Sequence, residues 1–330
     1  MKKITWGVIS TAKISIKKVI PAMQKGTYST ITAIASRNLE KAQQAAYKLN
    51  IPKAYGSYTQ LLENPDIDAV YIPLPNHLHV KWTLRALKAG KHVLCEKPIA
   101  LNTQEAEYLR NKKVKDFPDL KVMEAFMYRF HPQWQTVKKL VNEGKIGELK
   151  NIHSIFSYYN DDRNDIRNQK EIGGGGLLDI GCYCISLSRF LFNAEPKRVC
   201  STIEYDPRLK IDRLATAILE FEQGNSAFTC STQMKDHQQV EIIGTHGKIK
   251  IEKPFTPSPE KPNKITYQTG SQIKEIEFEA CNHYTVQGDL FSQAILNNTA
   301  VPTPLEDGVE NMRVIDKVFE SSRTGNWVKL

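Results

Sequence analysis

Ile4-Thr5-Trp6-Gly7-Val8-Ile9, followed at once by Ser10-Thr11-Ala12-Lys13-Ile14-Ser15, is the stretch that decides how this chain folds. Five of its first six residues are apolar or glycine, with no alternation of polar and apolar positions, which predicts a strand buried on both faces. Small residues then mark a tight turn into a helix that begins near Ile14. A strand, a turn and a helix in that order open a βαβ unit.

The same alternation continues outward from this start. Buried strands are predicted at Ile31 to Ala35, Ala69 to Leu74, His92 to Cys95 and Lys121 to Glu124, with helices beginning near Leu39, Leu78 and Thr103. Asn38, Asn76 and Asn102 stand where helix N-caps belong. After Pro132 the texture changes to one helix (Trp134 to Asn142), a strand (Asn151 to Tyr158), a loop, four glycines from Gly173 to Gly176, and a helix from about Leu178 to Leu191. Alternating stretches then dominate from Val199 to Phe278, and two helices, near Tyr284 to Asn297 and Val309 to Ser322, close the chain. At 330 residues it exceeds the roughly 250 to 300 at which single cores stop growing. The expected fold is α/β: residues 1–125 form a Rossmann domain with a doubly wound parallel sheet, and residues 126–330 form an α+β domain with a large, mainly antiparallel open sheet.

Composition narrows the function. No apolar run approaches the ~18 residues of a membrane span, and no cleavable leader is read at the start. Six cysteines without a CxxC pair suit reduced thiols. The expected setting is the cytoplasm, with no membrane partner. Lys and Arg number 45 against 36 Asp and Glu, and the surplus lies in residues 1–125, which hold 20 against 10. That half is suited to meet an anion such as a phosphorylated cofactor, although many of these lysines lie on helices where they solvate a face. Nucleic acid is not expected, because the basic residues are not interleaved with stacking aromatics.

A dinucleotide fingerprint G-x-G-x-x-G/A after the first strand would fall on residues 10–15. It is present only in degenerate form, with Ser10, Ala12 and Ser15 at the glycine positions. All three are small enough to let backbone approach a pyrophosphate at a helix N-terminus, and Thr11, Lys13 and Ile14 complete the turn. Where the second strand ends, an Asp or Glu would bind the ribose hydroxyls of NAD. Ser36-Arg37 stands there instead, with Lys41 following, a pattern suited to the 2′-phosphate of NADP(H), leaving NAD(H) as second choice.

Two more clusters lie at carboxyl ends of predicted strands, where this fold binds ligands. One is Leu74-Pro75-Asn76-His77-Leu78-His79, the other Glu96-Lys97-Pro98. The two histidines lack a further Cys or Asp cluster, so the expected role is capping or cofactor contact and no metal is expected. A third cluster, Leu177-Leu178-Asp179-Ile180-Gly181-Cys182-Tyr183, places Asp179 and Tyr183 one helical turn apart, able to address one ligand. Taken alone, Asp179 reads equally as a helix cap and Tyr183 as core.

Together these pieces resemble the Gfo/Idh/MocA family of oxidoreductases over essentially the whole chain. The likeness rests on Trp6 to Ala12, Pro75-Asn76-x-x-His79, Glu96-Lys97-Pro98, Met123-Glu124-Ala125-Phe126-Met127-Tyr128-Arg129-Phe130 and Asp179-x-Gly181-x-Tyr183. Ile51 to Tyr58, Val93 to Pro98 and Leu177 to Cys184 make it most similar to dimeric dihydrodiol dehydrogenases and NADP-dependent D-xylose dehydrogenases. The departure from the pattern is Ala12, where the central glycine would stand.

The resemblance implies hydride transfer between a nicotinamide and a carbinol or carbonyl of a sugar, cyclic polyol or dihydrodiol. Tyr183 would carry the hydroxyl proton, aided by the Lys97 cation, since a nearby positive charge eases loss of a phenolic proton. Asp179 would orient substrate hydroxyls or Lys97, and Tyr128 and Arg129 would complete the substrate pocket. The cofactor contacts implied are residues 10–14, Ser36, Arg37, Lys41, Leu74, Asn76, His79, Glu96, Lys97 and Arg129. A homodimer formed through the second domain's sheet is expected. Two rival readings are a glycosidase with a non-exchanging NAD and a non-catalytic NADP sensor.

Overall fold

A computed structural model describes residues 2–330. The chain divides into two compact units, residues 1–127 with 282–309 and residues 128–281 with 310–330.

The first unit holds a six-stranded, all-parallel sheet: β1 (Ile4–Ile9), β2 (Ser29–Ala35), β3 (Lys53–Tyr55), β4 (Ala69–Ile72), β5 (His92–Cys95) and β6 (Val122–Glu124), in the order β3-β2-β1-β4-β5-β6. That order is doubly wound, with its direction reversing between β1 and β4. After β1 comes a π-helical turn, Ser15–Val19, that runs into α1 (Ile20–Met23). The other helices are α2 (Leu39–Lys48), α3 (Tyr58–Leu62), α4 (His79–Lys88) and α5 (Thr103–Asp116). Asn38 and Asn102 cap α2 and α5 through their side chains, accepting from Lys41 N and Glu105 N. Asn76 does not cap a helix as expected. It opens a 3-10 turn, Asn76–Leu78, and α4 starts from Leu78 without a side-chain cap. β3 and α3 escape sequence reading because three residues and five are too short to show a period.

The second unit begins with α6 (Pro132–Asn142) and is built on a nine-stranded sheet. Its strands are β7 (Leu149–Tyr159), β8 (Arg198–Tyr205), β9 (Asp212–Glu220), β10 (Asn225–Ser231), β11 (Gln233–Gly244), β12 (Gly247–Ile251), β13 (Asn263–Thr269), β14 (Gln272–Phe278) and β15 (Val328–Lys329). Every neighbouring pair is antiparallel except β10 with β7. A π-helical turn, Leu177–Gly181, leads into α7 (Cys182–Phe192), which lies against β7 and β10 with ten of its eleven residues buried. One helical run, Lys170–Phe192, is long and apolar enough to cross a membrane, contrary to the expectation of none. Its apolarity is accounted for by the core, since 89% of the window is buried.

The expected boundary near residue 125 does not describe the end of the chain, because 282–309 returns to the first unit. The reason is exposure of the parallel sheet, which must be covered on both faces. α8 (His283–Leu296) supplies part of that cover: the Trp6 indole N–H donates to Ser292 Oγ at 3.1 Å, the rings of Trp6 and Phe291 lie 5.6 Å apart, and Asp289 accepts from the N–H groups of Thr27 and Tyr28. The division between the units falls within α9 (Leu305–Thr324).

Trp6 is fully buried, so Trp6→Phe removes both a bonded indole N–H and packed volume. An expected loss of about 1–3 kcal/mol follows from those two effects. Urea unfolding checks it, and a midpoint equal to wild type would show that α8 contributes no cover to β1.

Candidate active site

In the first unit the ligand-binding edge is set by the reversal between β1 and β4, which opens a crevice at the carboxyl ends of the strands. Ser10 N donates to Ala35 O at 3.0 Å, carrying the β1–β2 ladder one residue past the strand. There the backbone turns sharply, and Ser10 sits at φ +128°, a conformation glycine adopts without strain. Ser15 is buried with its hydroxyl donating to Ala12 O at 2.7 Å. The hydroxyl is turned inward, so no side chain of bulk obstructs the start of the helix. Leading N–H groups of a helix lack intrahelical acceptors and carry its positive end, which favours an anion.

At the end of β2, Ser36 is buried and its Oγ accepts from Asn38 N at 3.3 Å. Arg37 and Lys41 are exposed, and among the described residues no carboxylate lies within ion-pair distance of Arg37. A guanidinium left un-neutralised beside an open turn is a donor set for phosphate. The strained turn at Ser10, the small side chains and this cation fit a nicotinamide dinucleotide.

His79 was expected to cap or to touch the cofactor, and the structure assigns its ring elsewhere. It is 1% exposed, with Nδ1 2.7 Å from Pro98 O and Nε2 2.7 Å from Leu74 O, so both nitrogens are engaged. Burial pushes this imidazole down to about 4, while the two carbonyls pull its proton affinity up. A ring kept neutral in this way donates its one N–H to one carbonyl and packs its other nitrogen against the second. His79 therefore ties the turn after β4 to the turn after β5, and Leu74 contributes a carbonyl to that tie while its side chain is buried. Glu96 and Lys97 are half-buried on the second of these turns, whose peptide bond Lys97–Pro98 is cis.

In the second unit the glycine run is shaped by a buried carboxylate. Gly175 has φ +128°, and a Cβ there would lie 1.9 Å from Asp212 Oδ1. Asp212 Oδ2 accepts from Leu177 N at 2.5 Å, fixing the start of the π-helical turn that carries Asp179. Asp179 then receives the Tyr158 hydroxyl at 2.6 Å and pairs with Arg167 Nε at 3.3 Å, both on Oδ2. The Asp179 charge raises the proton affinity of Arg167, and burial followed by that same charge raises that of the Tyr158 phenol. Both partners thus stay donors to Asp179. Sequence reading named none of Tyr158, Arg167 and Asp212. They come from a strand, a loop and a second strand, and no local spacing marks them.

Tyr183, on the first turn of α7, is buried in an aromatic cluster, with ring centroids 5.5 Å from Phe255, 5.7 Å from Tyr128 and 5.8 Å from Phe156. Tyr128 and Arg129, expected to line the substrate pocket and, for Arg129, to touch the cofactor, both reach α7. The Tyr128 hydroxyl lies 2.8 Å from Ser186 Oγ, and Arg129 donates to the same oxygen through Nε at 3.2 Å and Nη2 at 2.8 Å. The Arg129 guanidinium also stands 5.3 Å over the Phe190 ring. A buried cation must be satisfied where it lies, and Ser186 and Phe190 are among the groups that do this. These two side chains position the helix that bears Tyr183.

Residues 4–115 match the oxidoreductase family with an NAD-binding Rossmann fold, and residues 134–250 match the GFO/IDH/MocA C-terminal domain. The chain is 35% identical to an NADP(+)-dependent D-xylose 1-dehydrogenase of Haloferax volcanii, over 98% of this chain and 99% of that protein. It is 37% identical to a trans-1,2-dihydrobenzene-1,2-diol dehydrogenase of Xenopus laevis over 74% of each. The crystal structure of KijD10, a 3-ketoreductase of Actinomadura kijaniata in complex with NADP and TDP-benzene, superposes with a TM-score of 0.90 at 30% identity, covering 97% of this chain and 98% of that one. A nicotinamide-dependent oxidoreductase is the class that fold and site define. The chain belongs to the Gfo/Idh/MocA oxidoreductase family.

Burial pushes the Asp212 carboxyl up to about 7, against the opposing pull of backbone N–H groups at Leu177, Asp212 and Gly176. An unfolded Asp titrates near ~3.9, so between about pH 4 and 7 the folded state holds a proton that the unfolded state has released. Stability is therefore expected to be greatest near pH 4 as far as this group decides it, to fall as pH rises to about 7, and then to level off. The slope approaches ~1.4 kcal/mol per pH unit at most. Asp212→Asn should flatten that limb in denaturant titrations from pH 5 to 8, and an unchanged slope would assign the titration to another group.

Proposed function

We propose that this protein is an NADP(H)-preferring dehydrogenase or reductase acting on a CH–OH group of a sugar, cyclic polyol or dihydrodiol. The observation that carries the cofactor preference is Arg37, an un-neutralised cation after β2 where an acidic side chain would repel a 2′-phosphate. The NADP-dependent D-xylose dehydrogenase and the NADP complex of the ketoreductase support it. The named reactions of these relatives support a small, polyhydroxylated substrate.

The bound nicotinamide supplies a hydride acceptor or donor. Residues 10–14, Ser36, Arg37 and Lys41 bind the dinucleotide, with Leu74, Asn76 and Glu96 at its nicotinamide end. Tyr183 is the acid/base that holds and returns the hydroxyl proton, Lys97 is its electrostatic partner, and Asp179, itself held by Tyr158 and Arg167, orients substrate hydroxyls. Such proton transfer is typically worth ~10² to 10⁴-fold, and orientation of the substrate must supply the rest. The cytoplasm is proposed as its setting, which six cysteines without a CxxC pair suit. A homodimer is proposed through the nine-stranded sheet, whose outward residues include exposed Ile218 and the Thr216–Thr229 hydroxyl pair. Sedimentation would show it as a species of twice the chain mass.

A screen of aldoses, inositols and diols with NADP+, followed at the nicotinamide absorbance, tests the reading. Stoichiometric change of free NADP+ supports a dehydrogenase, whereas a glycosidase with a retained cofactor or a sensor would show no net change.

Two sets of variants test the parts separately. Arg37→Asp should reverse the preference between NADP(H) and NAD(H) in binding titrations, and an NAD preference in the wild type would remove the 2′-phosphate assignment. Lys97→Met should abolish turnover with cofactor still bound. Tyr183→Phe should lower kcat by about two to four powers of ten at nearly constant melting temperature. A core tyrosine would instead lose only roughly 0.5–1.5 kcal/mol of stability, with kcat preserved.

A further inference from the structure

The turn that bears Lys97 is held more firmly than a loop need be. Glu96 N donates to Ile72 O at 3.1 Å, extending the β4–β5 ladder past the strand, and His79 grips Pro98 O at 2.7 Å. One residue later Ile99 N donates to the buried Glu124 Oε1 at 2.8 Å. A further contact is a side-chain one: the Tyr71 hydroxyl donates to Glu96 Oε1 at 2.5 Å.

The parallel register explains how that contact arises. Tyr71 on β4 is partnered with Leu94 on β5, so the two share a face of the sheet, and Glu96 lies two residues beyond Leu94 on that same face. A phenol pointing along the strand therefore meets the carboxylate directly. Tyr71 is fully buried, and burial, then the charge of Glu96, pushes its proton affinity well above that of a free phenol. Tyr284 at the start of α8 is raised in the same way, by burial and then by Glu96. A fully buried phenol that keeps its proton thus bonds the carboxylate immediately before Lys97. A hydrogen bond of this length to a carboxylate is among the strong ones, and the fully buried Tyr71 hydroxyl deprived of it would be costly.

We propose that Tyr71 is a positioning residue for the reaction, holding Glu96 so that the turn presents Lys97 in its working place. The proposal rests on the reading of Lys97 as catalytic. It assigns Tyr71 no contact with substrate or cofactor. Its effect is transmitted through Glu96, and so it should shrink once the charge that strengthens this bond is removed.

The test compares Tyr71→Phe, Glu96→Gln and the double variant for kcat and KM toward D-xylose with NADP+, for NADPH affinity by fluorescence, and for the rate at which acetic anhydride labels Lys97. Tyr71→Phe should lower kcat roughly 10- to 100-fold, the scale of a small misplacement transmitted from outside the chemistry, with NADPH affinity within about twofold of wild type. The Lys97 labelling rate should change with it. The double variant should be no worse than Glu96→Gln, as expected when one residue acts through the other. Wild-type kcat and labelling in Tyr71→Phe, or losses that multiply in the double variant, would overturn the proposal. Lys97→Met in parallel separates the two levels. An active Lys97→Met removes the reading of Lys97 and the clamp's catalytic role with it, whereas an inactive one beside an unaffected Tyr71→Phe removes only the clamp.

Discussion

The hydrogen bond from the Trp6 indole to Ser292 joins positions 286 residues apart, and it marks the constraint on which the first unit depends. A parallel sheet has two apolar faces, and α8 arrives from the far end of the chain to close β1. Without that return, Trp6 and Val8 would lack their cover, and the strand whose end forms the phosphate turn would lose its support. The chain therefore leaves the first unit after Met127 and re-enters it at Asn282. An enzyme domain that looks N-terminal in sequence is finished by residues near the C-terminus.

Both units use buried polar groups to aim the residues expected to do chemistry. In the first, His79, Tyr71 and Glu124 hold the turns at the carboxyl edge of β4 and β5. In the second, Asp212 shapes the glycine run, and Tyr158 with Arg167 holds Asp179. Each of these groups is expensive to bury alone and gains its stability only from partners in fixed places. That cost explains why the reactive ends are carried on turns yet not left loose. It also separates two kinds of residue: Tyr128 and Arg129, next to each other in sequence, are anchors of α7, whereas Tyr183, three residues before Ser186, is the group they steady.

What the sequence determined by itself follows from local physics. Runs such as Ile4 to Ile9 and His92 to Cys95 can only be strands buried on both faces, Asn38 and Asn102 can cap because their short side chains reach the third N–H of the helix ahead, and Ser36-Arg37 announces a cation after β2. The Rossmann order, the antiparallel second sheet and the location of the candidate site clusters were legible on these grounds. Only the tertiary structure decided the rest. That His79 stands between two carbonyls depends on Pro98 being 19 residues away in sequence but 2.7 Å away in space. Arg129 found Ser186 across 57 positions, and Asp212 met Leu177 across 35. Spacing along a chain reports periodicity and capping, which are interactions within a few residues, while a buried charge takes whichever partner the fold brings within hydrogen-bond reach.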